Sequence, residues 1–171
     1  LPKGLLNGKD AATFSFWIKP SSRWAFMTTP LRGKQTLNQE KYLGMLASSS
    51  GYIAERYNNS GTRLSSVNAN ASGDWQYVTA VFTADGTKVY VHGRLSASDT
   101  AAVDIKSLFT ADASTWIGHG NWYDDKTGKF EGFSGMIDDF KVYGRALTET
   151  QIQQVAAKER QSEQEETVKA Q

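Results

Sequence analysis

The residue types that most often carry catalysis are present in this chain, but their spacings build no recognised catalytic signature. Gly132-Phe133-Ser134-Gly135 is one residue short of a Gly-x-Ser-x-Gly elbow, and there is no Gly-x-x-x-x-Gly-Lys phosphate loop. The histidines, His92 and His119, do not form a two-histidine metal spacing. Glycoside hydrolysis needs two carboxylates roughly 5 to 10 Å apart across a cleft, and the one-strand arrangement Glu-x-Asp-x-Glu is missing; Glu40 and Glu55, from separate segments, are the pair left for such chemistry. Asp138 is the most informative acid. In Met136-Ile137-Asp138-Asp139-Phe140-Lys141-Val142-Tyr143, a period of two places it on the face of Met136, Phe140 and Val142, the expected core side. A carboxylate there costs several kcal/mol unless satisfied. Its partner should be either calcium, which takes carboxylate and carbonyl oxygens, or backbone amides or an arginine at a turn. Asp139 faces the other way with Lys141 and Tyr143 and should form a surface ion pair.

Composition narrows the classes further. The 171 residues suit one domain, and 19 Lys plus Arg against 18 Asp plus Glu leave a formal charge of +1. Such a balance lacks the basic stripe that a phosphate backbone requires, so nucleic acid is not the expected partner. Absent Cys excludes disulfides and Cys-based zinc sites, and no apolar run is long enough to span a bilayer. Twenty aromatic rings (five Trp, seven Tyr, eight Phe) are more than a core of this size needs, which raises the question of which of them face water.

The elements that position these residues read as short strands. Phe14, Phe16 and Ile18 alternate with Thr13, Ser15 and Trp17, and Pro20 stops the run. Gln76 to Phe82 and Thr87 to His92 predict a hairpin whose Asp85-Gly86 turn supplies positive φ, with Gly93-Arg94 opening the next turn. Further strands are expected at 42–47, 52–57, 63–66, 115–118 and 135–143. Thr148 followed by Gln151 predicts a capping box, with Leu147 and Ile152 as its staple and Ile152, Val155 and Ala156 as a narrow apolar stripe. The expected organisation is an antiparallel sandwich over 1–158 and a polar tail or linker over 159–171.

Five anchors in order, Phe14-Ser-Phe-Trp-Ile-Lys-Pro20, Gly73-Asp-Trp-Gln-Tyr-Val-Thr79, Gly86-Thr-Lys-Val-Tyr-Val91, Trp116-Ile-Gly118 and Gly135-Met-Ile-Asp-Asp-Phe-Lys-Val-Tyr-Gly-Arg-Ala-Leu-Thr148, closely resemble the laminin-G-like (LamG) branch of the concanavalin A-like lectin/glucanase superfamily. The resemblance implies an all-β, two-sheet antiparallel jelly-roll sandwich with a short C-terminal helix. It further implies a non-catalytic, monomeric, carbohydrate-binding module of a secreted glycoside hydrolase, hence extracellular, binding oligo- or polysaccharide and covalently joined to a catalytic domain. Many relatives hold a structural calcium near the strand of Asp138, which makes Asp138 the candidate metal ligand, with Asn7 and Asp10 as further oxygen donors.

With the anchors assigned, Phe14, Phe16, Trp75, Tyr77, Phe82, Phe140 and Tyr143 belong to the framework, and Trp17 and Trp116 should pack as well. The surplus rings collect in the loop after Pro20 and in an insertion over 119–129. A sugar ring offers an apolar C–H face that stacks on Trp or Tyr and a rim of hydroxyls that pair with Arg, Asn or Asp. His119, Asn121, Trp122, Tyr123 and Asp124 could supply both halves from one loop, with Arg23, Trp24, Tyr42, Arg56 and Tyr57 on the concave sheet. The same rings could instead form the hot spot of a protein-interaction or adhesion domain, and a hydrolase on this fold is the remaining alternative.

Overall fold

The computed structural model describes residues 1–20, 24–29, 42–48, 51–57, 63–69, 74–100, 104–124 and 126–169. Two five-stranded antiparallel sheets carry the fold. The first joins, in spatial order, β12 (Gly135–Tyr143), β1 (Ala11–Pro20), β6 (Gln76–Thr83), β7 (Gly86–Val91) and β8 (Arg94–Asp99). The second joins β5 (Arg63–Ala69), β4 (Gly51–Tyr57), β3 (Tyr42–Ser48), β2 (Trp24–Thr29) and β9 (Trp116–Ile117). A separate hairpin pairs β10 (His119–Asp124) with β11 (Lys129–Gly132), and α1 spans Glu149–Lys169. The backbone alone is described for most of β2 to β5, β10 and β11, and for the last turns of α1. This is the expected jelly-roll sandwich. The stretch after Pro20 and the stretch after Gly118, both expected as loops, contain β2 and the β10–β11 hairpin.

Alternation in β1 builds the core. Phe14, Phe16 and Ile18 are fully buried between the sheets, where they meet Val78, Ala80 and Phe82 of β6, Val89 of β7, and Met27, Leu43 and Met45 of the second sheet. Phe14 and Phe82 meet edge to face at 6.0 Å, and Phe16 stacks on Phe140 at 5.2 Å. The outward residues of the first sheet are buried too, because Val81 and Tyr90 pack with Leu147 and Ile152 where α1 begins. β6 is therefore covered on both faces, which explains its nearly continuous burial.

Turn chemistry departs from expectation at one hairpin. Thr83 opposes Gly86, so Ala84 and Asp85 form the β6–β7 turn, and neither Asp85 nor Gly86 has positive φ. Gly86 is required for a different reason: a Cβ there would sit 2.2 Å from the Asp99 carbonyl oxygen. Positive φ belongs to the next turn, where His92 (51°) and Gly93 (80°) join β7 to β8. That pair matches the right-handed twist of its flanking strands, as a type I′ turn does.

The helix start is as read. Thr148 Oγ1 accepts the Gln151 N–H at 3.3 Å, and Gln151 Oε1 accepts the Thr148 N–H at 3.1 Å. Leu147 and Ile152 are both buried beside the cap. The helix then continues past Lys158 to Lys169. Among the described residues, no helix is long and apolar enough to cross a membrane. Replacing Thr148 with Ala is expected to cost about 1 kcal/mol and lower Tm by a few degrees, whereas Phe14→Ala is expected to cost about 3 to 5 kcal/mol; thermal melts of the two variants check the ranking.

Candidate functional site

The second sheet brings some of the candidates together and separates others. Tyr42, at the start of β3, directly opposes Tyr57 at the end of β4, and Tyr57 in turn opposes Arg63 of β5. This row across three strands spans roughly 10 Å, since neighbouring strands lie about 4.8 Å apart. Arg56 is one step along, opposite the core residue Leu43 and opposite Ser65. Trp24 opposes Ala47, which itself opposes Tyr52, so Trp24 lies five residues of β3 away from the Tyr42 row, roughly 16 Å. Arg23 and Glu40 fall outside the described residues; Glu55 opposes Gly44 and Ser66.

The second group lies on the separate hairpin. His119 opposes Gly132, Tyr123 opposes Phe130 and Asp124 opposes Lys129, with Asn121 and Trp122 in the irregular stretch between the paired positions. The Phe133 N–H donates to the Gly118 carbonyl at 2.9 Å and closes the hairpin at its base. Gly128, at φ 69°, lies in the turn at the other end. β10 runs against β2 and reaches β3. The topology thus sets the aromatic-rich segment 119–124 beside the aromatic-rich segment 24–29, although 90 or more residues of chain separate them. Arg63 was missed in the sequence because it reads only as the first residue of a predicted strand; its register partner, Tyr57, is what marks it.

The surroundings of Asp138 correct the sequence reading. Ser15 opposes Lys141 and Trp17 opposes Asp138, so Asp139 and Phe140 together oppose Phe16 alone. This is a β-bulge, with Asp139 at φ 48°, and it inverts the alternation on its N-terminal side. Ile137 turns inward with Phe140 and Val142, while Met136 (52% exposed) and Asp138 turn to solvent. The Asp138 carboxylate accepts the backbone N–H of Asp139 at 2.7 Å. Asn7 and Asp10 are exposed, and Asp10 is seven residues along β1 from Trp17, roughly 20 Å from the strand position opposite Asp138; the three cannot share one ion. Among the described residues no group of three His, Cys, Asp or Glu side chains is arranged to hold a metal. Trp116, expected to pack, is 45% exposed.

The ion pair of Asp139 with Lys141 is present and gains a third member. Lys141 Nζ donates to Asp139 Oδ2 and to Glu159 Oε1 of α1, both at 2.5 Å. Hydrogen bonds with Glu159 and Lys141 hold the Asp139 carboxyl below its ordinary value, while burial and the Asp139 contact push Glu159 up. Burial works against the Lys141 charge, but the hydrogen bonds to Asp139 and Glu159 outweigh it and its pKa rises. Beneath this clasp, burial pushes the Tyr77 phenol up to about 12. Ser15 lies near enough to favour the phenolate slightly, yet neither Ser15 Oγ nor Tyr77 Oη has a hydrogen-bond partner of good geometry.

The family model described as the concanavalin A-like lectin/glucanases superfamily matches residues 1–153. The chain belongs to this superfamily. Among solved structures it is similar to domain 4 of AbnA, a GH43 extracellular arabinanase from Geobacillus stearothermophilus, in complex with arabinotriose, at TM-score 0.62 and 22% identity over 91% of this chain and 70% of that one. The Ruminococcus gnavus IT-sialidase CBM40 bound to α2,3-sialyllactose superposes at TM-score 0.68 with 15% identity, covering 87% of this chain and 84% of the other. A native heptameric SAP-like pentraxin from Limulus polyphemus superposes at 0.63 with 22% identity, covering 86% and 70%. No curated protein matches the sequence.

Because the unfolded chain ionises its tyrosines near pH 10 and its lysines slightly above, while Tyr77 and Lys141 hold their protons longer when folded, stability should fall as pH rises from about 10 toward 12. Tyr77→Phe is expected to flatten part of that fall and, by removing a buried hydroxyl without a partner, to be neutral or mildly stabilising at pH 7. Urea unfolding at pH 7, 10 and 11.5 measures both effects; a loss above about 2 kcal/mol at pH 7 would contradict the account of Tyr77.

Proposed function

We propose that this chain is a non-catalytic carbohydrate-binding module that holds oligo- or polysaccharide on the second sheet and the β10–β11 hairpin. The observation that carries the reading is the convergence of ring-bearing segments: Tyr42 opposes Tyr57, and β10, with Trp122 and Tyr123, runs against β2, which opens on Trp24. Rings stack on the C–H face of a sugar, and Asn121, Asp124, His119 and Arg23 are of the types that pair with its hydroxyls, whereas Arg56, opposite the core residue Leu43, shares the inner face of the sheet. Two neighbours of the same fold were solved with arabinotriose and with sialyllactose. An open surface of this kind buries little of a sugar, which implies weak binding to single sites.

The absence from the sequence of a paired-carboxylate strand motif supports a non-catalytic role. The likeness to domains of an extracellular arabinanase and of a sialidase supports attachment to a secreted glycoside hydrolase and an extracellular location. Calcium at Asp138 belongs to the same proposal: the residue would supply one exposed carboxylate to the ion.

A glycan array followed by isothermal titration tests the central claim. Trp122→Ala and Trp24→Ala should each weaken the detected sugar by at least about tenfold while leaving Tm within about 2 °C. Silence across plant, host and microbial glycans would refute it. For calcium, the expected result is a higher Tm with the ion than with chelator, and identical melts would remove the ion.

A further inference from the structure

Charge is unevenly spread along the chain. From residue 21 to residue 69, the segment that forms β2 to β5, the sequence carries six cations (Arg23, Arg32, Lys34, Lys41, Arg56 and Arg63) against Glu40 and Glu55, with no Asp. That surplus of four stands in a chain whose formal total is +1, so the remainder is net negative by three. The adjoining β10–β11 hairpin, residues 119–132, holds Lys126 and Lys129 against Asp124, Asp125 and Glu131, which leaves the two regions together at +3. Of these cations, Arg56 lies on β4 and Arg63 on β5. Arg63 occupies the register position directly beside Tyr57, which is directly beside Tyr42, on the strand that edges the sheet.

We propose that the Arg63–Tyr57–Tyr42 row selects a carboxylated sugar, a hexuronic or sialic acid residue, over a neutral one. The inference rests on the carbohydrate-binding reading and names the class of ligand. Two tyrosine positions and an arginine position follow one another across three neighbouring strands, roughly 4.8 Å apart at each step, the residue types that stack on a sugar and pair with a carboxylate. A guanidinium stays charged throughout the physiological range and presents a planar fork that matches a carboxylate in two parallel hydrogen bonds. A neutral sugar leaves the fork solvated and gains nothing from it. The surplus of four in the sequence from 21 to 69 adds a long-range attraction for an anionic chain, felt as a faster association that salt screens. Arg63 acts here as a ligand-contacting residue, and Lys in its place keeps the charge while losing the fork.

The test uses the whole chain in isothermal titration against four probes: tri-galacturonate and its fully methyl-esterified form, and 3′-sialyllactose and lactose. Binding of either acid at least about tenfold tighter than its uncharged counterpart, weakened by 0.5 M NaCl, supports the proposal, and which acid binds identifies the source of the carboxylate. Arg63→Gln should erase that preference with Tm unchanged, and Arg63→Lys should retain part of it. If Arg63→Gln fails to fold, the salt titration of the unaltered protein and the Arg63→Lys variant decide. Equal affinity for charged and uncharged probes, or a preference that survives Arg63→Gln, overturns this inference while leaving the carbohydrate reading intact. No binding to any of the probes, together with a silent array, overturns both.

Discussion

The fold depends on β1 being paired on both edges and buried on both faces. Its even residues, Phe14, Phe16 and Ile18, enter the space between the sheets at zero exposure, and its odd residues Thr13 and Ser15 are almost equally hidden on the other face. Burial of the first set is favourable at roughly 1.5 to 3 kcal/mol per large apolar side chain. The second set would be costly without partners. Thr13 solves its part directly: its hydroxyl donates to the Arg145 carbonyl at 2.9 Å and accepts the Leu147 N–H at 3.0 Å. One side chain of β1 thereby fixes the turn from which the helix cap, the staple and the cover over Tyr90 all follow.

How much of this could be read from the sequence depended on whether a pattern was strictly periodic. The face of β1, the capping box at Thr148 and Gln151, and the strands 42–48, 51–57 and 135–143 have local signals strong enough to survive tertiary context. Asp138 was misread because one extra residue, at Asp139 and Phe140, shifts the phase, and a bulge leaves no mark in a two-residue alternation. The positive φ expected at Asp85-Gly86 fell instead on His92-Gly93. A glycine in a turn reports either a special dihedral or a close approach, and at Gly86 it was the Asp99 carbonyl that demanded it. β2 and the β10–β11 hairpin were taken for loops since their polar and aromatic residues follow no clean alternation. The candidate site was legible as residue types only. That Tyr42 meets Tyr57, that Trp24 lies at the far end of β3, and that Arg63 joins the row are matters of register between strands distant in sequence.

The clasp of Lys141 with Asp139 and Glu159 shows why the bulge is kept. An αL conformation at a non-glycine residue is strained by an amount that Asp tolerates better than most. In return the bulge turns Asp139 toward the Lys141 ammonium on the face where α1 lies. Partly exposed ion pairs contribute little individually, so the clasp does not hold the helix down by itself. The buried contacts of Leu147, Ile152 and Ala156 do that.

A division between the two sheets follows. The first sheet has apolar contacts on its inner face and the helix start on its outer face, so it holds most of the described core and few positions that could change without loss. The second contributes Met27, Leu43 and Met45 to that core through β2 and β3, and its strands carry the positions of Trp24, Tyr42, Arg56, Tyr57 and Arg63. Ligand recognition needs polar and aromatic groups with unfilled partners, and such groups are tolerated where packing does not already claim them. Structures at 15 and 22% identity share this fold; in this chain a strand such as β1, with both faces buried, is fixed by packing, and the proposed recognition rests on positions that register alone brings together, Tyr42, Tyr57 and Arg63.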